Sequence, residues 1–183
     1  MKNPAKALWV TNIMTEPIDW DSVFRSELPR IYNFFLYKLG EREVAQDLTS
    51  ATFERAWKLR SKYRKGIASL PTWFFGIARN VLLEHFRNDK SRRKRAGTIM
   101  PSKEVTSRAN VEKDYQQNLE KEYLQKLIFG LTDREQDLIA LKYGAGLTNR
   151  EIAKLTRLTE SNVGSILFRT IKSLRNKLEE NNG

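Results

Sequence analysis

Leu147-Thr148-Asn149-Arg150-Glu151-Ile152-Ala153 is the stretch that decides the fold, and Leu131-Thr132-Asp133-Arg134-Glu135 sounds the same phrase a little earlier. Each sets Thr-x-x-Glu directly behind a leucine. In that capping box the threonine hydroxyl and the glutamate carboxylate satisfy two backbone donors at a helix start. Two helices therefore begin close together. The first carries Leu138, Ile139, Leu141 and Tyr143 until Gly144 and Gly146 stop it, and the second is short, turning Ile152, Ala153 and Leu155 inward. After Thr156-Arg157-Leu158 a longer helix starts at Thr159 or Ser161 and continues toward Glu180, with Val163, Ile166 or Leu167, Ile171, Leu174 and Leu178 facing a core. A short helix, a tight turn and a long helix with a polar front edge make a helix-turn-helix, whose second helix fits the DNA major groove. The outer positions there are Glu160, Ser161, Asn162, Ser165, Phe168, Arg169 and Lys172. Asn and Arg side chains can bond purine edges in pairs, Ser can reach base or phosphate, and Phe can touch a thymine methyl. Arg150, Lys154 and Arg157 then fall near phosphates. Capped helices of an ordinary bundle, with solvated charges outside, are the alternative at this point.

Upstream of this unit, residues 96–113 are polar and small, with Gly97, Pro101, Ser102, Thr106 and Ser107 and no apolar face, which predicts a flexible linker. Before it lie three further helical patterns. The first spans about Asp21 to Leu39, buries Val23, Phe24, Leu28, Ile31, Phe34, Phe35 and Leu39, and stops at Gly40, with a kink or boundary expected near Leu28 because Pro29 lacks a backbone donor. The second spans Glu41 to about Leu59, with Val44, Leu48, Ala51, Phe53 and Ala56 supplying apolar contacts. A basic loop covers Arg60 to Pro71. The third helix runs from about Thr72 to Arg87 and shows a stripe of Trp73, Phe74, Ile77, Ala78, Val81, Leu82 and Phe86, for which core packing outweighs base stacking. Lys90-Ser91-Arg92-Arg93-Lys94-Arg95 follows, a positive block that either meets phosphates or is a solvated tail. The expected fold class is all-α: an N-terminal extension (1–20), one helical domain (21–95), the linker (96–113) and the helix-turn-helix domain (114–183).

Composition narrows the function. The 183 residues carry a formal net charge of +11, which favours a polyanionic partner such as DNA. There is no cysteine and only one histidine, His85, so thiolate zinc sites, disulfide scaffolds and histidine acid-base chemistry fall away. Neither a secretory segment nor a run of the ~20 apolar residues needed to span a bilayer is visible, which predicts a cytoplasmic protein without membrane insertion. The sequence suggests neither a metal nor a cofactor, and no catalytic residues.

Taken together, Val44-Ala45-Gln46-Asp47-Leu48-Thr49-Ser50-Ala51-Thr52-Phe53-Glu54-Arg55-Ala56-Trp57, Thr72-Trp73-Phe74-Phe75-Gly76-Ile77-Ala78-Arg79-Asn80 and the two capped segments resemble, in order and spacing, sigma-70 family factors of the extracytoplasmic-function group. Such factors keep only sigma regions two and four. The resemblance runs from about Asp21 to Leu178. It implies a non-enzymatic subunit that binds core RNA polymerase, through its beta-prime and beta subunits, and directs promoter recognition, melting and initiation, usually restrained by an anti-sigma factor. Polymerase docking is implied for Asp47, Leu48, Phe53, Glu54 and Trp57, although Gln46 and Ser50 stand where the family usually has an acidic residue and a glutamine. Binding of the opened minus-10 strand is implied for Lys62, Tyr63, Arg64, Lys65, Ser69, Arg79, Asn80 and Arg87. The minus-35 duplex is implied for Arg150, Lys154, Arg157, Ser161, Asn162, Gly164, Ser165, Phe168, Arg169 and Lys172, with Gly164 replacing a commonly basic residue. Two rivals remain. One is a helix-turn-helix regulator that works without polymerase; the other is a nuclease using Asp47 and Glu54, seven apart on one helix face, to hold a metal.

Overall fold

In the computed structural model, residues 18–95 and 123–181 are described. The expected linker, the extension up to residue 17 and residues 114–122 lie outside them. Asp19 starts the first helix by accepting hydrogen bonds from the backbone N–H groups of Asp21 (3.1 Å) and Ser22 (3.2 Å), donors that a helix start otherwise leaves open. Helix α1 spans Trp20–Leu39 and stops where Gly40 adopts φ 71° and donates to the Leu36 carbonyl. It passes through Pro29 without the expected boundary. Pro29 sits on the exposed side, where water can serve the carbonyl that loses its donor.

Helix α2 (Arg42–Leu59) leads through a 3₁₀ turn, Arg60–Lys62, into a loop, and α3 covers Leu70–Arg95. Helix α3 is longer than the sequence suggested, because the basic block continues it instead of leaving it as a tail. The core of this first unit is Ile31, Phe34 and Phe35 of α1, Ala45, Leu48 and Ala56 of α2, and Phe74, Phe75, Ile77, Ala78, Val81 and Leu82 of α3. Trp20 belongs to this unit and not to the extension: its ring meets Phe24, Tyr63 and Trp73 edge-on or tilted, at 5.8–6.2 Å between centroids. Three expected core residues are corrected. Leu28, Ala51 and Phe86 face solvent, while Thr49 and Thr52 are buried, each returning its hydroxyl to the carbonyl four residues earlier. A hydroxyl satisfied within its own helix turn is buried at little cost, which binary patterning does not register.

The second unit contains α4 (residues 123–129), α5 (Asp133–Ile139), a π-helical turn (Ala140–Gly144), α6 (Asn149–Thr156) and α7 (Glu160–Asn181). Both capping boxes form. Thr132 Oγ1 accepts from the Glu135 N–H at 3.3 Å while Glu135 Oε2 accepts from the Thr132 N–H at 3.0 Å, and Thr148 and Glu151 repeat this at 3.3 and 2.9 Å. Leu138, Ile139, Leu141, Leu147, Ile152, Val163, Leu167 and Leu174 fill the core, whereas Tyr143 is exposed. No strand occurs among the described residues. The two units pack on each other: α1 packs on the π turn, α3 packs on α6, and the buried apolar residues form one continuous cluster.

The α5 cap is testable. Hydrogen bonds from the Thr132 hydroxyl and backbone hold the Glu135 carboxyl below its ordinary value of 4.5. A depressed carboxylate stabilises the fold above its unfolded pKa, and that stabilisation is lost as pH falls through the folded value. Thr132→Ala is expected to cost about 1 kcal/mol in urea unfolding at neutral pH. Glu135→Gln is expected to flatten the loss of stability below pH 4.5.

Candidate nucleic-acid interface

The front of α7 is open. Thr159 caps it by accepting from the Asn162 N–H at 3.2 Å, and Ser161, Asn162, Ser165, Phe168, Arg169 and Lys172 are all exposed, Phe168 by 70%. Val163, Leu167, Thr170 and Leu174 hold its opposite face, with Thr170 donating to Glu135 Oε1 at 3.4 Å. One carboxylate thus caps α5 and steadies α7. Arg157, at φ 59°, supplies the left-handed turn between α6 and α7, a conformation that strains a side-chain-bearing residue. Arg150, Lys154 and Arg157 are exposed beside that turn. Gly164 departs from the implied contact set. It is half-buried and faces Asn149 of α6, whose Nδ2 would lie 3.5 Å from an added Cβ.

On α2 the outer stripe holds Asp47 and Glu54, both exposed, and Trp57, 45% exposed with the Arg60 guanidinium stacked 3.8 Å from its ring centroid. Glu54 is paired with Lys58, which lowers its carboxyl pKa first through their hydrogen bond. Leu48 is buried in the first unit, as its apolar spacing indicated, and leaves little surface for the docking role that the resemblance implies. Phe53 is half-buried against Phe24 (5.2 Å) and Phe74 (5.5 Å), so it props the stripe from behind. Among the described residues no cluster of three His, Cys, Asp or Glu converges on a point.

The basic loop divides. Lys62, Arg64 and Lys65 are exposed, as are Asn80 and Arg87 on α3. Tyr63 is instead buried, its ring against Trp20 and Trp73 and its hydroxyl donating to the Ala68 carbonyl at 3.0 Å, and burial raises its pKa. It anchors the loop and does not face outward, against the outward placement expected for it. Sequence reasoning missed Ile67, 83% exposed at the loop tip beside Gly66 and Lys65. An apolar side chain standing in water among cations was the available signal. Trp73 and Phe74 join the aromatic cluster, as their spacing indicated.

Ser69 and Arg79 meet the second unit. Arg79 Nη2 bonds Asp137 Oδ2 at 2.9 Å and its Nη1 donates to the Leu155 carbonyl, while Ser69 Oγ, which also caps α3 at the Thr72 N–H, donates to Glu151 Oε1 at 3.4 Å. Asp137 also holds Lys38 at 3.2 Å, and Arg30 bridges from Glu27 (2.8 and 3.0 Å) to the Ala145 carbonyl (2.8 Å). Burial raises the Glu27 carboxyl pKa against the opposing pull of Arg30.

The family model described as Sigma-70 region 2 matches residues 23–92, and that described as Sigma-70, region 4 matches residues 127–176. Together they take in most of the chain. The chain belongs to the sigma-70 family. Curated relatives of this sigma factor include the ECF RNA polymerase sigma factor BldN of Streptomyces coelicolor, 24% identical over 82% of this chain and 56% of that protein. The ECF RNA polymerase sigma factor SigM of Bacillus subtilis is 25% identical over 85% and 92%. The chain thus spans just over half the length of the first relative and nearly all of the second. The sigma factor RpoE, solved in complex with the anti-sigma factor NepR from Bartonella quintana, shares the fold with a TM-score of 0.68 at 20% identity, over 88% of this chain and 97% of that one. Both curated relatives carry the ECF designation in their names.

Because the space beside Gly164 takes a Cβ at ordinary contact distance, Gly164→Ala is expected to stabilise the sigma factor by up to about 1 kcal/mol, read as a raised thermal midpoint. A lowered midpoint would mean that α6 and α7 need the glycine's close approach.

Proposed function

We propose that this chain is a promoter-specificity subunit of bacterial RNA polymerase, acting in the cytoplasm as a regulatory partner without chemistry of its own. The observation that carries this reading is the open polar front of α7, on a doubly capped helix-turn-helix that lies in one chain with a matching region two.

Docking on core polymerase, through its beta-prime and beta subunits, is assigned to Asp47, Glu54 and Trp57. An exposed aromatic beside a carboxylate is a usual anchor for a protein interface. Lys62, Arg64, Lys65, Asn80 and Arg87 are assigned to the opened minus-10 strand, where cations neutralise the backbone while bases leave their stack. Ser69 and Arg79 are assigned to the same strand, although here they bond Glu151, Asp137 and the Leu155 carbonyl of the second unit. The minus-35 duplex is assigned to α7 through Ser161, Asn162, Ser165, Phe168, Arg169 and Lys172, with Arg150, Lys154 and Arg157 on flanking phosphates. Holding both elements from one chain makes the second binding event intramolecular and multiplies two weak affinities. An anti-sigma partner belongs to the proposal, supported by the NepR complex of a protein with the same fold.

Reconstituted transcription with core polymerase on a promoter library tests the reading: initiation is expected from a defined subset of promoters, and failure to co-purify with core polymerase would end it. Within that assay Arg169→Ala is expected to relax the minus-35 preference at one or two positions, by about 1–3 kcal/mol each, without loss of polymerase binding. Loss of polymerase binding would move Arg169 out of the DNA interface.

A further inference from the structure

The turn between α6 and α7 is the one place among the described residues where a side chain is carried on left-handed backbone. Arg157 has φ 59° and ψ 29°, a region in which a Cβ crowds the following carbonyl oxygen. The other two positive-φ positions are glycines, Gly40 at 71° and Gly146 at 66°, which have no Cβ to crowd. Glycine would make the α6–α7 turn without strain, so arginine lowers its stability. We propose that the turn gives up fold stability in order to hold the Arg157 guanidinium on the phosphate backbone of the minus-35 duplex. The inference rests on the duplex reading of α7 and deepens it, since it singles out from three cations the one for which the fold itself is strained.

Three observations carry this. The strain is held in place from both sides: Leu155 and Leu158 pack against the core, and Thr159 caps α7 by accepting from the Asn162 N–H at 3.2 Å. A segment pinned in this way keeps a conformation that its own residue disfavours. The Arg157 side chain, by contrast, is exposed and forms no hydrogen bond or ion pair with any described residue, so its charged group adds nothing to the fold. Strain without an internal return points outward. The third observation is position. In a helix-turn-helix the first helix crosses the sugar-phosphate backbone while the N-terminal residues of the second reach base edges, so the turn that joins them lies at the rim of the groove. Arg157 stands there, four residues ahead of Ser161. A guanidinium at the rim offers paired donors to phosphate oxygens, and such a contact fixes the register in which Ser161 and Asn162 meet the bases. Arg150 and Lys154 lie inside α6 and carry no such strain.

The test uses the full chain with core polymerase and a promoter fragment that initiates transcription, and three variants separate charge from strain. Arg157→Gly removes both, Arg157→Ala removes the charge but keeps a Cβ, and Arg157→Lys keeps both. Thermal unfolding of the free chains is expected to place the glycine variant about 2–4 °C above the alanine variant, with the lysine variant near the parent. Promoter affinity is expected to follow charge instead. The glycine and alanine variants should lose the same factor, roughly eightfold at about 0.1 M salt, and their log–log salt slope should be shallower by about 0.9, the release of one counterion. That loss should be uniform across promoter sequences, and the lysine variant should keep the parent's slope. A glycine variant no more stable than the alanine variant overturns the inference, and so does a glycine variant with the parent's salt slope. Arg169→Ala, scored beside them, separates this from the duplex reading. If it relaxes the minus-35 preference while the Arg157 variants leave the slope unchanged, the turn has another purpose and the duplex reading stands; if neither position alters promoter binding, both fall.

Discussion

Helix α1 is a wall with two working faces, and the rest of the molecule is arranged around it. Ile31, Phe34 and Phe35 are fully buried, and the helix is packed by α2 and α3 from one direction and by the π turn from another. A helix apolar over so much of its circumference cannot stand in water alone. Both halves of the chain contribute to burying it, and the apolar residues form one cluster although the sequence divides into two units. Lys38 shows the consequence at single-residue scale. Its ammonium is buried near the end of α1 and is matched by Asp137 from the far unit, because a buried charge needs a partner to offset its lost hydration.

Local features were legible in the sequence for local reasons. Capping boxes, the Gly40 stop, the polar front of α7 and the core role of Trp73 and Phe74 each depend on residues within about two helical turns of one another, and periodicity records that range. The long-range features were not legible. Asp137 meets Lys38 and Arg79, and Arg30 meets the Ala145 carbonyl, across separations for which one sequence carries no signal. The packing of Tyr63 was hidden for a related reason: it lies in a segment whose neighbours are surface residues, and only the third dimension shows that its ring fills the space between Trp20 and Trp73. Pro29 makes no boundary in α1, since the rule that it breaks helices yields where water can serve the freed carbonyl.

Electrostatics ties these parts to function. A chain of net charge +11 is drawn to any phosphate polymer, so an unguarded sigma factor would spend itself on DNA that is not a promoter. Acids of the second unit face polar groups of the first: Asp137 meets Lys38 and Arg79, and Glu151 meets Ser69. The same acids serve the fold: Glu151 completes the cap of α6 as well as meeting Ser69, and Glu135 caps α5 as well as holding Thr170 of α7. Groups with two duties couple the helix-turn-helix to the surface beneath it.

The distance between the two units in the free chain tests this most directly. The chain has no cysteine, so Asn88→Cys on α3 and Ser173→Cys on α7 give two unique positions for spin labels. The account predicts a short, narrow distance distribution. A long or broad one would contradict it.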